Sequence, residues 1–226
     1  MMTNTSPKIK VVQCWDDGVV DDIRLTDILR RHNARASFNL NSAKHGAQRS
    51  GTWRFNDIKD VQQLSKAELT GVYDGFTIAN HTANHPFLTR ITPDQAEAEI
   101  RDGKDALEQI FGVPVTGFAY PYGDYDDAVA EAVGAAGHIY ARTCVHVADV
   151  FPPENPLTLH SNCHFLAHDF WQRFEHVKDT GGVFYFWGHS YELVTEEDWT
   201  AFDRKIARLA ADPAVEWEDL PALFAG

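Results

Sequence analysis

Apolar and polar positions along this chain follow two periods. Short apolar runs of β type alternate with longer segments whose apolar residues recur every three or four positions. Lys8–Trp15 (KIKVVQCW) reads as a buried strand. Asp21–His32 reads as a helix with Ile23, Leu25, Ile28 and Leu29 on its apolar side. Arg35–Leu40 and Phe76–Asn80 are strand-like, and between them Ser65-Lys66-Ala67-Glu68 has the form of a capping box that opens a short helix or turn. Thr92-Pro93-Asp94 combines an N-cap, a proline at the first helical position and an acid in the first turn; the helix it starts runs to about Phe111 and stops at Gly112. Val115–Tyr120 is a strand and Asp124–Ala136 a helix ended by Gly137. Ile139–Thr143 and Pro156–His160 follow as shorter strands, then Asp169–Lys178 as a helix. Gly182–Trp187 (GVFYFW) is a buried strand, and Thr195–Ala211 is the last long helix.

Repeated strand–helix alternation predicts an α/β fold built on a parallel sheet with helical crossovers. A barrel and an open doubly wound sheet both fit. The polar residues bear on that choice. Asp16 and Asp17 follow the first strand, His81 follows Phe76–Asn80, Tyr120-Pro121-Tyr122-Gly123 ends another, and His189 lies just beyond Gly182–Trp187. In a barrel of parallel strands these ends converge on one face, where active sites lie.

Bulk properties narrow the picture. The 226 residues suit one domain, 1–226, with a core large enough to need no staples. Six Trp, seven Tyr and fourteen Phe are mostly core material, and a minority can serve as stacking surface for sugar rings. A net charge of −13 argues against a nucleic-acid partner and weakly against a polyanionic substrate. The three cysteines, Cys14, Cys144 and Cys163, form no CxxC, so a reducing compartment is expected rather than a disulfide framework. Met1–Lys10 is polar without an apolar h-region, and no apolar run approaches a membrane span. The expectation is a cytoplasmic protein with no membrane partner, export remaining open.

The motifs carry a specific likeness. Trp15-Asp16-Asp17-Gly18 resembles TFDDG, the first motif of the NodB-homology (polysaccharide deacetylase) family. Ala36–Leu40 is similar to its second strand, His81-Thr82-Ala83-Asn84-His85 to its HTxxH motif, Ala119–Gly123 to RPPYG, and Trp187-Gly188-His189-Ser190 to its last motif. Order and separations agree over nearly the whole chain. The resemblance implies an irregular (β/α) barrel of the NodB-homology type, with about seven parallel strands in place of the standard eight.

It also implies roles. Asp17, His81 and His85 are the expected metal ligands, a borderline N/O set suited to Zn²⁺, with Ni²⁺ or Co²⁺ as alternatives. His81 and His85 are four apart, so one helical turn is expected to put both on one face. Asp16 is then the general base, the backbone N–H of Tyr122 an oxyanion donor, and His189 the general acid, with Glu192 three residues on to orient it. Trp15, Tyr120, Pro121, Trp187 and Glu192 are the expected substrate contacts. The read-out is a metal-dependent hydrolase removing N- or O-acetyl groups from an acetylated oligo- or polysaccharide. The alternatives are a hydrolase of a non-sugar amide or ring amide on the same fold, and a carbohydrate-binding protein with impaired catalysis.

Two departures matter. Ala119 stands where the family has an arginine that holds the catalytic base; Arg142, at the end of the next strand, is expected to supply the guanidinium. The fourth motif's Asp and Trp have no clear counterpart, Asp149, Asp169 and Trp171 being the nearest stand-ins. His160, Cys163, His164 and His168 would form a rival metal cluster if Thr158–Asp169 were helical. Asn41–Gly51 and Val145–Asn155 are the loops expected to set specificity.

Overall fold

The computed structural model describes residues 8–225. Its first crossover runs from β1 (Ile9–Asp16) through α1 (Asp22–Arg31) to β2 (Ser37–Leu40). A hairpin, β3 (Ser50–Phe55) and β4 (Lys59–Gln63), precedes α2 (Lys66–Val72) and β5 (Thr77–Asn80). Then come α3 (Pro93–Phe111), β6 (Gly117–Ala119), α4 (Asp127–Ala135) and β7 (Tyr140–His146). The chain finishes with β8 (Leu159–Ser161), β9 (Cys163–His164), α5 (Phe170–Thr180), β10 (Val183–Gly188), α6 (Glu196–Ala211) and β11 (Val215–Trp217).

Nine of these strands form one sheet in the order β8-β7-β6-β5-β2-β1-β10-β9, with β11 paired to the lower half of β1. Every pairing within it is parallel, and the sheet curls into a nearly closed, irregular (β/α) barrel. The strand count exceeds the expected seven by β9 and β11, which are only two and three residues long. Segments that short carry no readable period.

Asn162, between β8 and β9, ties the two walls together. Its side chain accepts from Tyr185 N–H at 2.7 Å and donates to Val147 O and Ala148 O at 3.2 and 2.6 Å, while its own N–H donates to Tyr185 O at 2.8 Å.

Strand alternation sorts side chains into two layers. Val11, Trp15, Phe38, Phe184 and Phe186 share the outer cluster with Leu25, Leu29, Phe202 and Ile206 of the helices. Val12, Cys14, Tyr140, Val183 and Tyr185 form a separate inner cluster, closed below by Leu220. Each such large apolar side chain contributes about 1.5–3 kcal/mol on burial. Continuing the inner rows upward by two residues reaches Asp16, Asn39, Arg142 and Trp187. The polar mouth is thus the top layer of the barrel's own interior.

Helix termini follow their signals. α3 has a Thr92 capping box, Pro93 inside it and Gly112 in the left-handed region at φ 69°. Ser65 and Thr195 cap α2 and α6 through capping boxes of their own. The β3–β4 hairpin lies in a segment that the pattern left partly as loop. Among the described residues no helix is long and apolar enough to cross a membrane. The reading of Met1–Lys10 falls mostly on residues 1–7, outside those described.

Candidate active site

Four strand ends, those of β1, β5, β6 and β10, deliver most of the site, and Arg142 enters from within β7 rather than from its end. Asp16 ends β1, and Asp17 follows in the left-handed region at φ 84°. Gly18, at φ 72°, completes the turn; a Cβ there would lie 2.6 Å from the His45 ring, so the position takes only glycine. Gln63 of β4, with its amide nitrogen turned toward them, donates to Asp17 O and Gly18 O at 2.7 and 3.2 Å. The hairpin base therefore steadies the Asp17 turn. Thr82, His85 and Tyr122 also have positive φ, at 66°, 63° and 59°. Such backbone is costly for these residue types and persists where surrounding contacts enforce it.

His81 and His85 do not lie on a helix, contrary to the expectation from their spacing. They bracket a loop after β5, in which His85 N–H donates to Thr82 Oγ1 at 2.9 Å and the Asn41 carboxamide donates to His81 O. The loop nevertheless brings the two Nε2 atoms to 3.1 Å. Asp17 Oδ1 lies 3.9 Å from His81 Nε2 and 3.6 Å from His85 Nε2. Ligands held about 2.0–2.2 Å from one cation stand roughly 3–3.5 Å apart, so this triangle needs only small adjustment to close on one.

Proton accounting supports the fit. His81 Nδ1 lies 2.7 Å from Ala119 O, a carbonyl that can only accept. The ring proton is therefore on Nδ1, and Nε2 turns its lone pair toward Asp17, the usual outer-partner arrangement of a ligating histidine. Burial, with smaller effects from neighbouring charges, lowers the basicity of His81; burial and the His81 ring push His85 down to about 3, so both imidazoles are neutral. Asp17 Oδ1 is buried without a hydrogen-bond partner. The residues present fit a divalent cation.

Asp16 is 2% exposed and fully engaged. Asn39, its register partner on β2, donates to Oδ1 at 2.6 Å, and the Arg142 guanidinium donates to Oδ2. Burial alone would raise the Asp16 carboxyl, but Arg142, with His81 and His189, outweighs it and holds the group well below the usual carboxylate range. Arg142 stands opposite Ala119 in the β6–β7 register. Its guanidinium packs over the Trp187 ring at 4.3 Å and reaches Cys144 Sγ at 3.6 Å.

His189 faces this pair across the mouth, its Nε2 3.9 Å from Asp16 Oδ2 and 4.0 Å from Asp17 Oδ2. Burial disfavours its charged form, but Glu192 and the two aspartates more than compensate and raise its basicity. Its ring stacks on Tyr191 at 4.8 Å. Tyr191 in turn meets Trp53 and Phe55 of the hairpin edge-on, at 5.6 and 5.2 Å. Tyr122 stacks on Phe87 at 3.8 Å and is 57% exposed, which leaves an aromatic face at the rim.

These side chains line a cavity of about 320 Å³ that includes Asp16, Asp17, His81, His85, Arg142 and His189. A larger groove of about 620 Å³ runs between the start of α3 and α4, but none of the groups above reaches it. Tyr120, Tyr122 and Trp187 line the smaller cavity; Tyr120 is otherwise core, its hydroxyl donating to Leu157 O at 2.8 Å.

Several expected contacts fall elsewhere. Trp15 is 0% exposed and packs on Phe165 and Phe202 in the outer layer, so it offers no face to a substrate. With Asp16 pointing inward, strand alternation sends its neighbour outward. Pro121 is buried in the turn. Glu192 accepts from the His189 backbone N–H and lies against the His164 and His189 rings rather than standing free. Asp169 pairs with Arg173 at 2.8 Å, Trp171 packs under Arg208, and Asp149 lines a different cavity. His160 lies on β8, bonded to Thr143 Oγ1 at 2.6 Å, and Cys163 and His164 form β9, so no helix gathers the rival cluster. Asn39 and Tyr191 belong to none of the motifs read in the sequence, and Cys144 figures there only in the cysteine count. A lone Asn inside the apolar run of β2 was the available signal for the first.

Comparison with known proteins follows the same lines. The polysaccharide deacetylase family model matches residues 3–141, more than half of the chain. The Bacillus subtilis protein YlxY is 27% identical over 108 residues, which cover 48% of this chain and 29% of that protein, so the chain spans less than a third of this relative's length. A solved structure of T48 deacetylase with substrate superposes with a TM-score of 0.62 at 19% identity, over 97% of this chain and 92% of that one. Peptidoglycan deacetylase PdaC from Bacillus subtilis gives 0.59 at 17% identity, over 98% and 92%. At these identities the structural matches speak to the fold.

Proposed function

The chain belongs to the polysaccharide deacetylase family, and from that premise we propose that it hydrolyses acetyl groups on an oligo- or polysaccharide with the help of a divalent cation held by Asp17, His81 and His85. The observation that carries this reading is the buried, unpartnered Asp17 Oδ1 facing two neutral imidazole nitrogens. Zn²⁺ suits the donor set best, with Ni²⁺ or Co²⁺ as alternatives. Bound there, a divalent cation would polarise the acyl carbonyl and acidify water, which a base as weak as Asp16 requires.

The chain's own groups divide the remaining work. Asp16, kept ionised by Arg142, receives a proton from the attacking water. The Tyr122 backbone N–H, on its strained turn at the mouth, is the proposed donor to the oxyanion, a contact typically worth about 3 kcal/mol. His189, whose basicity is raised, gives a proton to the departing amine or alcohol as the bond to the acetyl carbon breaks. Water is thereby split between acetate and the leaving group. Tyr122 and Trp187 at the rim suit the faces of a sugar ring.

The test pairs metal analysis with acetate release from N- and O-acetylated sugars for the wild type, Asp17→Ala and His81→Ala. About one cation per chain, lost in both variants together with acetate release, is the expected result. Acetate release by metal-stripped wild type would sink the cation's role, and cation binding without acetate release would redirect the site to other amides.

A further inference from the structure

Three groups converge on one oxygen beside the proposed acid. Glu192 Oε2 accepts from His189 N–H at 3.1 Å, lies 2.9 Å from His164 Nε2, and lies 3.3 Å from His189 Nδ1. His164 comes from a different part of the chain. It sits on β9 opposite Trp187 in the β9–β10 register, with its ring edge-on to that indole at 4.9 Å.

The position of its proton follows from its other nitrogen. Leu166 N–H points at His164 Nδ1 from 3.3 Å, and a backbone N–H can only donate. Nδ1 is therefore the acceptor, and a single ring proton sits on Nε2, the nitrogen 2.9 Å from Glu192 Oε2. His164, His189 and Glu192 also have the composition of a metal site. A cation on His164 Nε2 would force that proton onto Nδ1, against the Leu166 N–H, so the cluster is arranged to hold protons.

We propose that His164 is a positioning residue that acts through Glu192. It anchors the Glu192 carboxylate so that the His189 ring keeps its Nδ1 edge toward Glu192, 3.3 Å away, and its Nε2 toward Asp16 and Asp17. The proposal rests on the deacetylase reading for its kinetic consequence, and on geometry alone for the tautomer. It assigns the fixing of the acid to a sheet-edge histidine and a carboxylate from the turn after β10, in a chain where Asp149 and Asp169 lie away from the site.

The experiment is a double-mutant cycle on the metal-loaded protein with an acetylated glucosamine oligomer as probe. His164→Ala is expected to lower kcat about tenfold and Glu192→Ala about a hundredfold, with KM within about twofold of wild type. The double variant should be no slower than Glu192→Ala, because the two side chains act as one unit. His164→Gln, whose amide can still donate to Glu192, should recover most of the loss, which separates positioning from damage to the fold. Multiplicative losses in the double variant would overturn the proposal. So would wild-type kcat in His164→Ala, or a second equivalent of bound metal that His164→Ala removes. If the wild type releases no acetate, the deacetylase reading fails, yet imidazole ¹⁵N shifts still decide the tautomer. His189 protonated at Nδ1 in wild type and redistributed in His164→Ala supports the arrangement; unchanged shifts overturn it.

Discussion

Two clusters of the same residue types face each other across the mouth of the barrel. One is Asp17 with His81 and His85; the other is Glu192 with His164 and His189. What separates them is the backbone group on the far nitrogen of one ring. Ala119 offers a carbonyl to His81 Nδ1, which takes that ring's proton and leaves Nε2 as a lone pair. Leu166 offers an N–H to His164 Nδ1, which sends the proton to Nε2. The carboxylates follow suit, Asp17 Oδ1 lacking a donor and Glu192 Oε2 gathering several. A carboxylate with two histidines is therefore not yet a metal site. On this reading, whether the nearby backbone presents C=O, as Ala119 does from the adjoining strand, or N–H, as Leu166 does from the turn after β9, sorts the proposed cation set from the proton-holding one.

That contrast can be broken at the ligand side first. Asp17→Ala or His81→Ala should abolish cation binding and lower acetate release about a thousandfold or more, whereas Glu192→Ala should keep the cation; metal analysis of all three on one day checks it. Cation loss in Glu192→Ala would erase the distinction between the clusters. Next in size is Arg142→Ala. It leaves Asp16 buried without its counter-charge, a change that costs about 3–5 kcal/mol where a buried pair is broken. We expect a lowered melting temperature and about a hundredfold loss of kcat, with the cation retained. Restoring an arginine from the adjoining strand, as Ala119→Arg in the Arg142→Ala background, should recover part of both. No recovery would mean that the guanidinium's approach, and not only its charge, is essential.

The smallest effect sharpens the acid side. Asp22 is fully buried beneath it, accepting from Ser190 Oγ at 2.5 Å and Tyr73 Oη at 2.6 Å. Burial pushes its carboxyl up to about 7, against the two hydrogen bonds. The folded protein thus holds this proton more tightly than an unfolded chain, whose carboxyl releases it near pH 4. Stability from this group is fully present below about pH 4 and is lost as pH rises to about 7. Asp22→Asn cannot ionise, so its melting temperature relative to wild type should climb across that window and level off above it. A difference that stays flat with pH would refute the assignment.

Much of this was legible in the sequence wherever local chemistry settles local structure. The Thr92-Pro93 start and the Gly112 stop frame α3 as read, and the strand-end placement of Asp16, Asp17, His81 and His189 follows from apolar runs meeting polar residues. What stayed hidden is long-range or aperiodic. His81 and His85 converge through a loop with two left-handed residues, which the spacing of a helical turn happens to imitate. That Ala119 and Arg142 lie side by side is a matter of parallel register, which no single strand encodes. The hairpin did leave a mark: Trp53 and Phe55 alternate with polar residues ahead of Asn56-Asp57, whose φ values of 48° and 58° suit a tight turn of the hairpin type. Trp15 sits in a motif beside two site carboxylates, but strand alternation puts its side chain on the face opposite Asp16, in the outer layer.

The Asn162 bridge has a mechanical meaning. Elsewhere the barrel is closed by ladders, in which each bond lost leaves its neighbours in place. Between β8 and β10 the joint is a cluster of bonds around one residue, so it holds or parts as a unit. Arg142 hangs from one lip of that joint and His189 from the other. A motion that parts the lips would separate the residue that holds the proposed base, Asp16, from the proposed acid, His189. The spacing of that proposed pair is thus entrusted to a clasp made by one side-chain amide.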